Sequence, residues 1–372
     1  MTPMRTDRMT VVIITRDRRE HLLETLAHMT GLPDAAPIIV VDNGSTDGAA
    51  DAVRAAFPSV ELIRSLDNRG AVARNIAVDR VSTPYVAFCD DDTRWQPGAL
   101  TRAADVLDRY PGLASVTGRC LVAPDLVEDP ITPELRDSPV PGPDWLPGPA
   151  LLGVTAGLSA FRVSAFREVG GFSSRLWFGG EEDLLALDLA MNGWWMCWLE
   201  DMIIHHEPSR ARDSTRRRGL GIRNTLWTLW LRRPARSAAR RIAVVLRSAP
   251  TDRTAIAAVL EAVAGSPWVL RAQRRARAGG GGTRAAGGFP APLARAPLRR
   301  LSRRNGRRER IHPPEDLEQF GRGDFPPGRV GVRLHVPGEF DLLTTGHLDA
   351  VVAGRQAMPP LPDCEFTRIT AS

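Results

Sequence analysis

YVAFCDDD, residues 85–92, is the stretch on which the reading of this chain turns: a short apolar run of strand length passes directly into three aspartates. An apolar strand that ends abruptly in charge belongs to a buried sheet whose strand ends open onto a site. Upstream, MTVVIIT (9–15), PIIVVD (37–42) and VELIRS (60–65) have the same strand-like character. Helical spacing separates them, as with Leu22, Leu23, Leu26 and Met29 within 18–29, a second helix after the turn at 43–48, and a third over 71–80. Downstream, 98–110 predicts a helix and 114–117 a strand. This alternation predicts βαβ units, and hence an α/β fold with a mainly parallel central sheet. Thr15, Asp42 and Asp90 to Asp92 all fall at carboxyl ends of strands, where open α/β sheets bind ligands.

Beyond this core, residues 123–149 hold eight prolines and little periodicity, which predicts an irregular connection. WFGGEEDLLALDLAMNGWWMCWLEDMIIHHEPS (177–209) reads as a loop, a helix over 182–191 stopped by Asn192-Gly193, a strand and a polar exit. Residues 222–249 alternate Trp, Leu and Arg as basic amphipathic helices. From about residue 276 the chain becomes rich in Gly, Arg and Pro, a composition that predicts disorder.

Composition narrows the chemistry. The chain has 372 residues and 43% hydrophobic content, enough for one large or two ordinary domains. All 49 Lys+Arg residues are arginine. The lack of lysine excludes a Walker A lysine, a Schiff base, a Ser-x-x-Lys nucleophile and a kinase-type phosphate lysine. The four cysteines, Cys89, Cys120, Cys197 and Cys364, stand singly, which argues against a zinc ribbon or a disulfide framework and fits a reducing compartment. The net charge is +6, but residues 271–310 alone hold 13 arginines against one glutamate, so the basicity belongs to one segment. Nucleic acid is therefore not an expected partner. The first nine residues are polar, and no signal peptide or membrane-spanning run is read.

Three adjacent aspartates repel one another and raise one another's pKa unless a cation sits among them. A hard divalent ion, Mg²⁺ or Mn²⁺, would remove that cost, with diphosphate and water completing its shell. A solvated acidic turn is the plainer alternative.

TVVIITRDRREHLLETL, IIVVDNGSTDGA, LDNRGAVARNIAV, YVAFCDDDTRWQPGAL and GGEEDLLALDLAMNGW together resemble, in order and spacing, the signatures of the inverting family 2 glycosyltransferases with the GT-A fold. The resemblance spans roughly residues 10–210. It implies that Asp42, with Asn43 beside it, contacts the donor's nucleobase, that Thr15 and Arg16 line the same pocket, and that Arg69 and Arg74 serve the donor. Asp90 and Asp92 match the Asp-x-Asp motif, with Asp92 the leading metal ligand and Asp91 a ribose contact. Counting back from Gly193 makes Glu182 the general base and Glu181 its runner-up. The family's second acidic position is Leu184 here, and its helix arginine is Asp188. His206 aligns with a histidine near the diphosphate or metal. Capping roles for Asp42 and Asn75, a helix-dipole role for Glu181 to Asp183 and core packing for Trp194, Trp195 and Trp198 are the structural alternatives.

The expected organisation is a glycosyltransferase domain at 1–215, with a donor half at about 9–120 and an acceptor half at about 150–210. A basic amphipathic helical extension would occupy 216–275, and a low-complexity tail 276–372. The expected reaction moves a sugar from a nucleoside diphosphate sugar to an acceptor hydroxyl of a polysaccharide, glycolipid or natural product. The alternatives are a metal-dependent nucleotidyltransferase and a non-catalytic protein binding RNA or anionic lipid through its Arg-rich tail. The expected location is cytoplasmic, with Trp227 and Trp230 either packed against the catalytic domain or offered to an anionic surface at the inner face of the plasma membrane.

Overall fold

The computed structural model describes residues 7–208, 214–232 and 252–278, with a few helical positions between 239 and 247. The tail expected to be disordered lies outside the described residues.

Four strands, β1 (Met9–Thr15), β2 (Ile38–Asp42), β3 (Glu61–Arg64) and β4 (Tyr85–Asp90), lie parallel in the order β3-β2-β1-β4. β1 and β2 are apolar nearly throughout because helices cover both faces. Their register pairs Thr15 with Asp42 and Ile14 with Asp90, so the strand-end residues read from the sequence form one row along the sheet's edge. The intervening helices are α1 (Arg19–Thr30), α2 (Ala49–Ala56) and α3 (Ala73–Val78), the last preceded by a 3₁₀ turn at Gly70–Val72.

The remaining strands are β5 (Thr93–Trp95), β6 (Leu113–Val122), β7 (Val127–Glu128), β8 (Ser159–Arg162) and β9 (Trp195–His206). They continue the order as β4-β8-β6-β9-β5, with β7 on β6. The parallel character is confined to the first four strands and the β6–β9 pair, because β8 runs antiparallel to both neighbours and β5 antiparallel to β9. β5 was not read from the sequence, and its position has a geometric consequence. Asp90 and Thr93 can be at most about 11 Å apart along the chain, yet four strand spacings in a flat sheet would separate β4 from β5 by about 19 Å. The sheet must therefore curl, bringing its far edge back to β4, with Asp90 to Asp92 in the mouth of the curl.

Packing fixes this arrangement. Phe88 of β4 is fully buried and meets Phe161, Phe166 and Phe172 at ring-centroid distances of 5.4, 5.6 and 5.6 Å. Each such side chain contributes about 2–3 kcal/mol by burial. Trp95 of β5 is also fully buried, and its indole N–H donates to the Phe88 carbonyl at 3.2 Å, tying the curl closed. The Pro-rich connection, read as irregular, contains β7 and a short helix, α5 (Ile131–Arg136).

Helices α4 (Ala99–Arg109), α6 (Val163–Glu168) and α7 (Glu181–Met191) complete the layers on the sheet. Three more, α8 (Ser214–Arg232), α9 (Arg253–Ala264) and α10 (Ser266–Ala278), form a C-terminal layer. α8 begins before residue 216 and crosses the boundary read from the sequence. Trp227 is buried in this layer: its N–H donates to the Ala262 carbonyl at 2.9 Å, and its ring meets Trp268 edge-on at 5.5 Å. Of the two places the sequence reading left open for Trp227, packing inside the protein is the one observed, which removes this side chain from a lipid surface. Among the described residues no single helix is long and apolar enough to cross a membrane.

Candidate active site

The loops after β1 and β2 are laced together. The Asp17 carboxylate accepts the Thr46 N–H at 2.7 Å, the Ser45 hydroxyl accepts the Asp17 N–H at 3.0 Å, and Asp47 accepts the Arg19 N–H at 2.8 Å, capping α1 from another loop. Asp17 holds a left-handed backbone, φ 49°, which aspartate tolerates better than most residues. Bonds from Thr46 hold its carboxyl below the usual range. This lacing presents Thr15 and Asp42 side by side.

Asp42 is buried, and one of its carboxylate oxygens accepts the Ser45 N–H at 2.9 Å, so it caps the turn. Its other oxygen has no hydrogen bond and stands 3.8 Å from the Arg64 Nε in a loose ion pair, so it can still accept from a ligand donor. Asn43 bonds at both ends of its amide, to Asn68 and the Gly70 carbonyl through Nδ2 and to the Arg69 N–H through Oδ1. It therefore shapes the loop carrying Arg69. The side chains of Arg16 and Arg69 are exposed around this pocket.

The three aspartates divide among different partners. Asp90 pairs with Arg74, a buried arginine whose guanidinium also lies 5.8 Å from the ring centres of Phe88 and Phe172. Asp91 is buried and accepts from the Thr15 hydroxyl at 2.8 Å and from Arg18 at 2.5 Å. Burial dominates and pushes it up to about 7 despite Arg18. Asp92 accepts from Arg18 at 3.0 Å and stands 3.9 Å from the His206 Nε2. Arg18 thus bridges two of the three carboxylates. It was not among the residues read from the sequence, although it is the cation closest in sequence to the β1 end after Arg16.

β5 pairs antiparallel with β9, placing Thr93 opposite His206, and the Glu207 N–H donates to the Asp92 carbonyl at 2.8 Å. That ladder brings His206 to the end of the aspartate run. A buried carboxylate and a half-buried imidazole facing each other across 3.9 Å are a donor pair that a divalent ion can take.

The glutamate pair lies at the N-terminus of α7, where Gly180 takes a left-handed φ of 82°. Glu181 is buried, with one carboxylate oxygen unpartnered. Glu182 is half-buried and accepts the Ala156 N–H at 2.5 Å. Burial raises both carboxyls, and for Glu182 the neighbouring Glu181 raises it further. The next residue, Gly157, lies against Asp90: a Cβ on it would stand 2.8 Å from the Asp90 carboxylate. One two-residue segment therefore has the aspartate run on one side and the glutamate pair on the other.

Two expected departures find their reason here. Asp188 pairs through both oxygens with Arg232, joining α7 to α8, while Leu184 is in the core. Trp195 and Trp198 are buried, and Trp194 bonds Glu168 at 3.0 Å. Asn75 accepts the Phe172 N–H at 3.0 Å and donates to the Phe172 carbonyl at 2.8 Å, a fastening between α3 and the acceptor half.

With this geometry in view, the family described as Glycosyl transferase family 2 matches residues 10–170 of the chain. The GT-A type of α/β fold implied by the family resemblance is the fold observed. The chain is 29% identical to the N-acetylglucosaminyl-diphospho-decaprenol L-rhamnosyltransferase of Mycobacterium tuberculosis, over 56% of this chain and 79% of that one. It is 32% identical to the succinoglycan biosynthesis protein ExoU of Rhizobium meliloti, over 24% of this chain and 28% of the other. Among solved structures it is similar to the mannosyltransferase PcManGT of Pyrobaculum calidifontis in complex with GDP-Man and Mn2+, at 22% identity, 77% coverage of each chain and a TM-score of 0.44. The protein is a glycosyltransferase.

Proposed function

We propose that this glycosyltransferase moves a sugar from a nucleoside diphosphate sugar to an acceptor hydroxyl in a single displacement with inversion. The observation that carries the reading is the Ala156–Gly157 segment, which separates a carboxylate pair held by burial from an aspartate run paired with arginine. A base and a diphosphate-binding end on either side of one sugar are what a single displacement requires. Asp42, Arg16 and Arg69 would take the nucleoside end of the donor. Arg18 and Arg74 set the charge around the aspartates. Glu182 accepts the proton of the attacking hydroxyl, and Glu181 beside it keeps that carboxylate basic by repulsion. Asp92, His206 and Asp90 would hold the divalent ion, which when bound offsets the charge of the departing diphosphate. The relative's diphospho-decaprenol acceptor favours a lipid-linked or polysaccharide acceptor here, and a cytoplasmic location belongs to the same proposal.

A panel of nucleoside diphosphate sugars, assayed for diphosphate release with and without chelator and with the product anomer read by NMR, tests this. Release from one donor, abolished by chelator and giving the opposite anomer, is expected. Retained configuration or undiminished turnover in chelator would overturn inversion or metal assistance respectively.

A further inference from the structure

Two side chains beside the aspartate run, Cys120 and Asp129, remain unused by this reaction, and both stand next to His206. The parallel pairing of β6 with β9 sets Cys120 opposite Ile204 and Val122 opposite His206. Alternate residues share a face, so Cys120 and His206 lie on one face as diagonal neighbours. The β6–β7 hairpin then folds Asp129 back over them. Its N–H donates to the Cys120 carbonyl at 3.0 Å, and that carbonyl also accepts the Thr132 hydroxyl at 3.3 Å. Asp129 Oδ1 accepts the Ile131 N–H at 3.0 Å, while its Oδ2 stands 3.9 Å from the His206 Nδ1. Ligand atoms of Cys120, Asp129 and His206 all lie within 4.8 Å of one another.

We propose that Cys120, Asp129 and His206 form a second metal site, specific for a borderline-soft divalent ion of the zinc class, that excludes the hard ion of the donor site. Sulfur, imidazole nitrogen and one carboxylate oxygen are a zinc-type ligand set with a fourth position left for water. A tetrahedral zinc holds its ligand atoms about 3.5 Å apart, from bonds of about 2.0–2.3 Å. The cluster closes to that size by shifts of about an ångström, which the half-buried Asp129 and His206 can make. The hard ions that suit the donor site have little affinity for thiolate.

Exclusion follows from the histidine ring. Nδ1 faces Asp129 and Nε2 faces Asp92, each at 3.9 Å. A neutral imidazole has one lone pair to give, because its other nitrogen carries the proton. Zinc on Nδ1 leaves an N–H on Nε2 directed toward Asp92, so the ring cannot also ligate an ion at the donor site. The consequence, inhibition by zinc through Cys120, rests on the proposed role of His206 in donor metal binding, whereas the zinc site itself does not.

The experiment uses the full chain. Cobalt(II) titration of wild type should give a thiolate-to-cobalt charge-transfer band in the near ultraviolet, and zinc should displace it. Cys120→Ser should lose the band, Asp129→Asn should keep it with affinity weakened about tenfold or more, and Cys197→Ser should match wild type, with each variant's fold checked by circular dichroism. No band in wild type, or a band surviving in folded Cys120→Ser, overturns the site. Zinc titrated against donor turnover at fixed manganese should inhibit wild type and spare Cys120→Ser, which should keep its zinc-free activity. Zinc binding through Cys120 without inhibition would overturn the exclusion and the shared role of His206, while leaving the zinc site in place.

Discussion

The aspartate run and the glutamate pair lie on either side of one short segment, yet the protein treats their charges in opposite ways. Asp90, Asp91 and Asp92 are met by Arg74 and Arg18, with Thr15 adding a hydroxyl. Glu181 and Glu182 sit among backbone groups and each other, and burial raises both. A carboxylate beside a cation has a partner for its charge, although Asp91, buried as well, is still pushed up to about 7. A carboxylate stripped of water and set beside its like takes up a proton readily. On the proposed reaction the difference divides the labour of the site: one cluster handles charge, and the other moves a proton.

The sharpest way to break that division is Glu182→Gln, which keeps shape and the acceptor for Ala156 while removing the base. Transfer should fall by about 10²–10⁴-fold with donor binding retained, and Glu181→Gln should be milder. Steady-state kinetics with donor titration by calorimetry checks this, and a reversed order would make Glu181 the base. Asp92→Asn comes next. It should lower transfer by about 10–100-fold together with manganese affinity, read by electron paramagnetic resonance, and leave the melting temperature nearly unchanged because the residue lies at a strand end.

A pH series reads the raised carboxyls without mutation. A raised folded-state pKa gives stability that is present at low pH and lost as pH rises through the raised value. The glutamate pair, and Asp91 at about 7, should therefore lower the melting temperature of metal-free protein as pH rises from about 4 into the alkaline range. Activity should rise over the same window, since the base works only when deprotonated. Glu182→Gln should flatten part of the stability slope, and an unchanged slope would place the raised group elsewhere. The smallest expected effect is at Asn224, where alanine should destabilise by about 1–3 kcal/mol in denaturant unfolding, through buried carbonyls left unpaired.

Much of this was legible in the sequence because it rests on local signals. The apolar runs ending at Thr15, Asp42 and Asp90 are parallel strands of one sheet, and Glu181 opens α7 one residue ahead of the helix start read from periodicity. What stayed hidden depends on residues far apart in sequence. β5 has three residues and takes its identity from β9, over a hundred positions away. Arg18 gains its meaning from Asp91 and Asp92. Trp227 looked amphipathic in its own helix, and only α9 and α10 reveal that it faces inward. Asp188 departs from the family pattern because its partner, Arg232, lies on α8.

The side-chain amide of Asn224, in the middle of α8, donates to the carbonyls of Leu176, Phe178 and Gly179, at 2.7, 3.0 and 2.5 Å. Those carbonyls belong to the loop that delivers Glu181 and Glu182, whereas the family match ends at residue 170. The segment that the family match covers is thus smaller than the unit that these hydrogen bonds hold together. Recombination that grafted a new C-terminal layer onto this enzyme would also have to supply a replacement clasp for the glutamate loop.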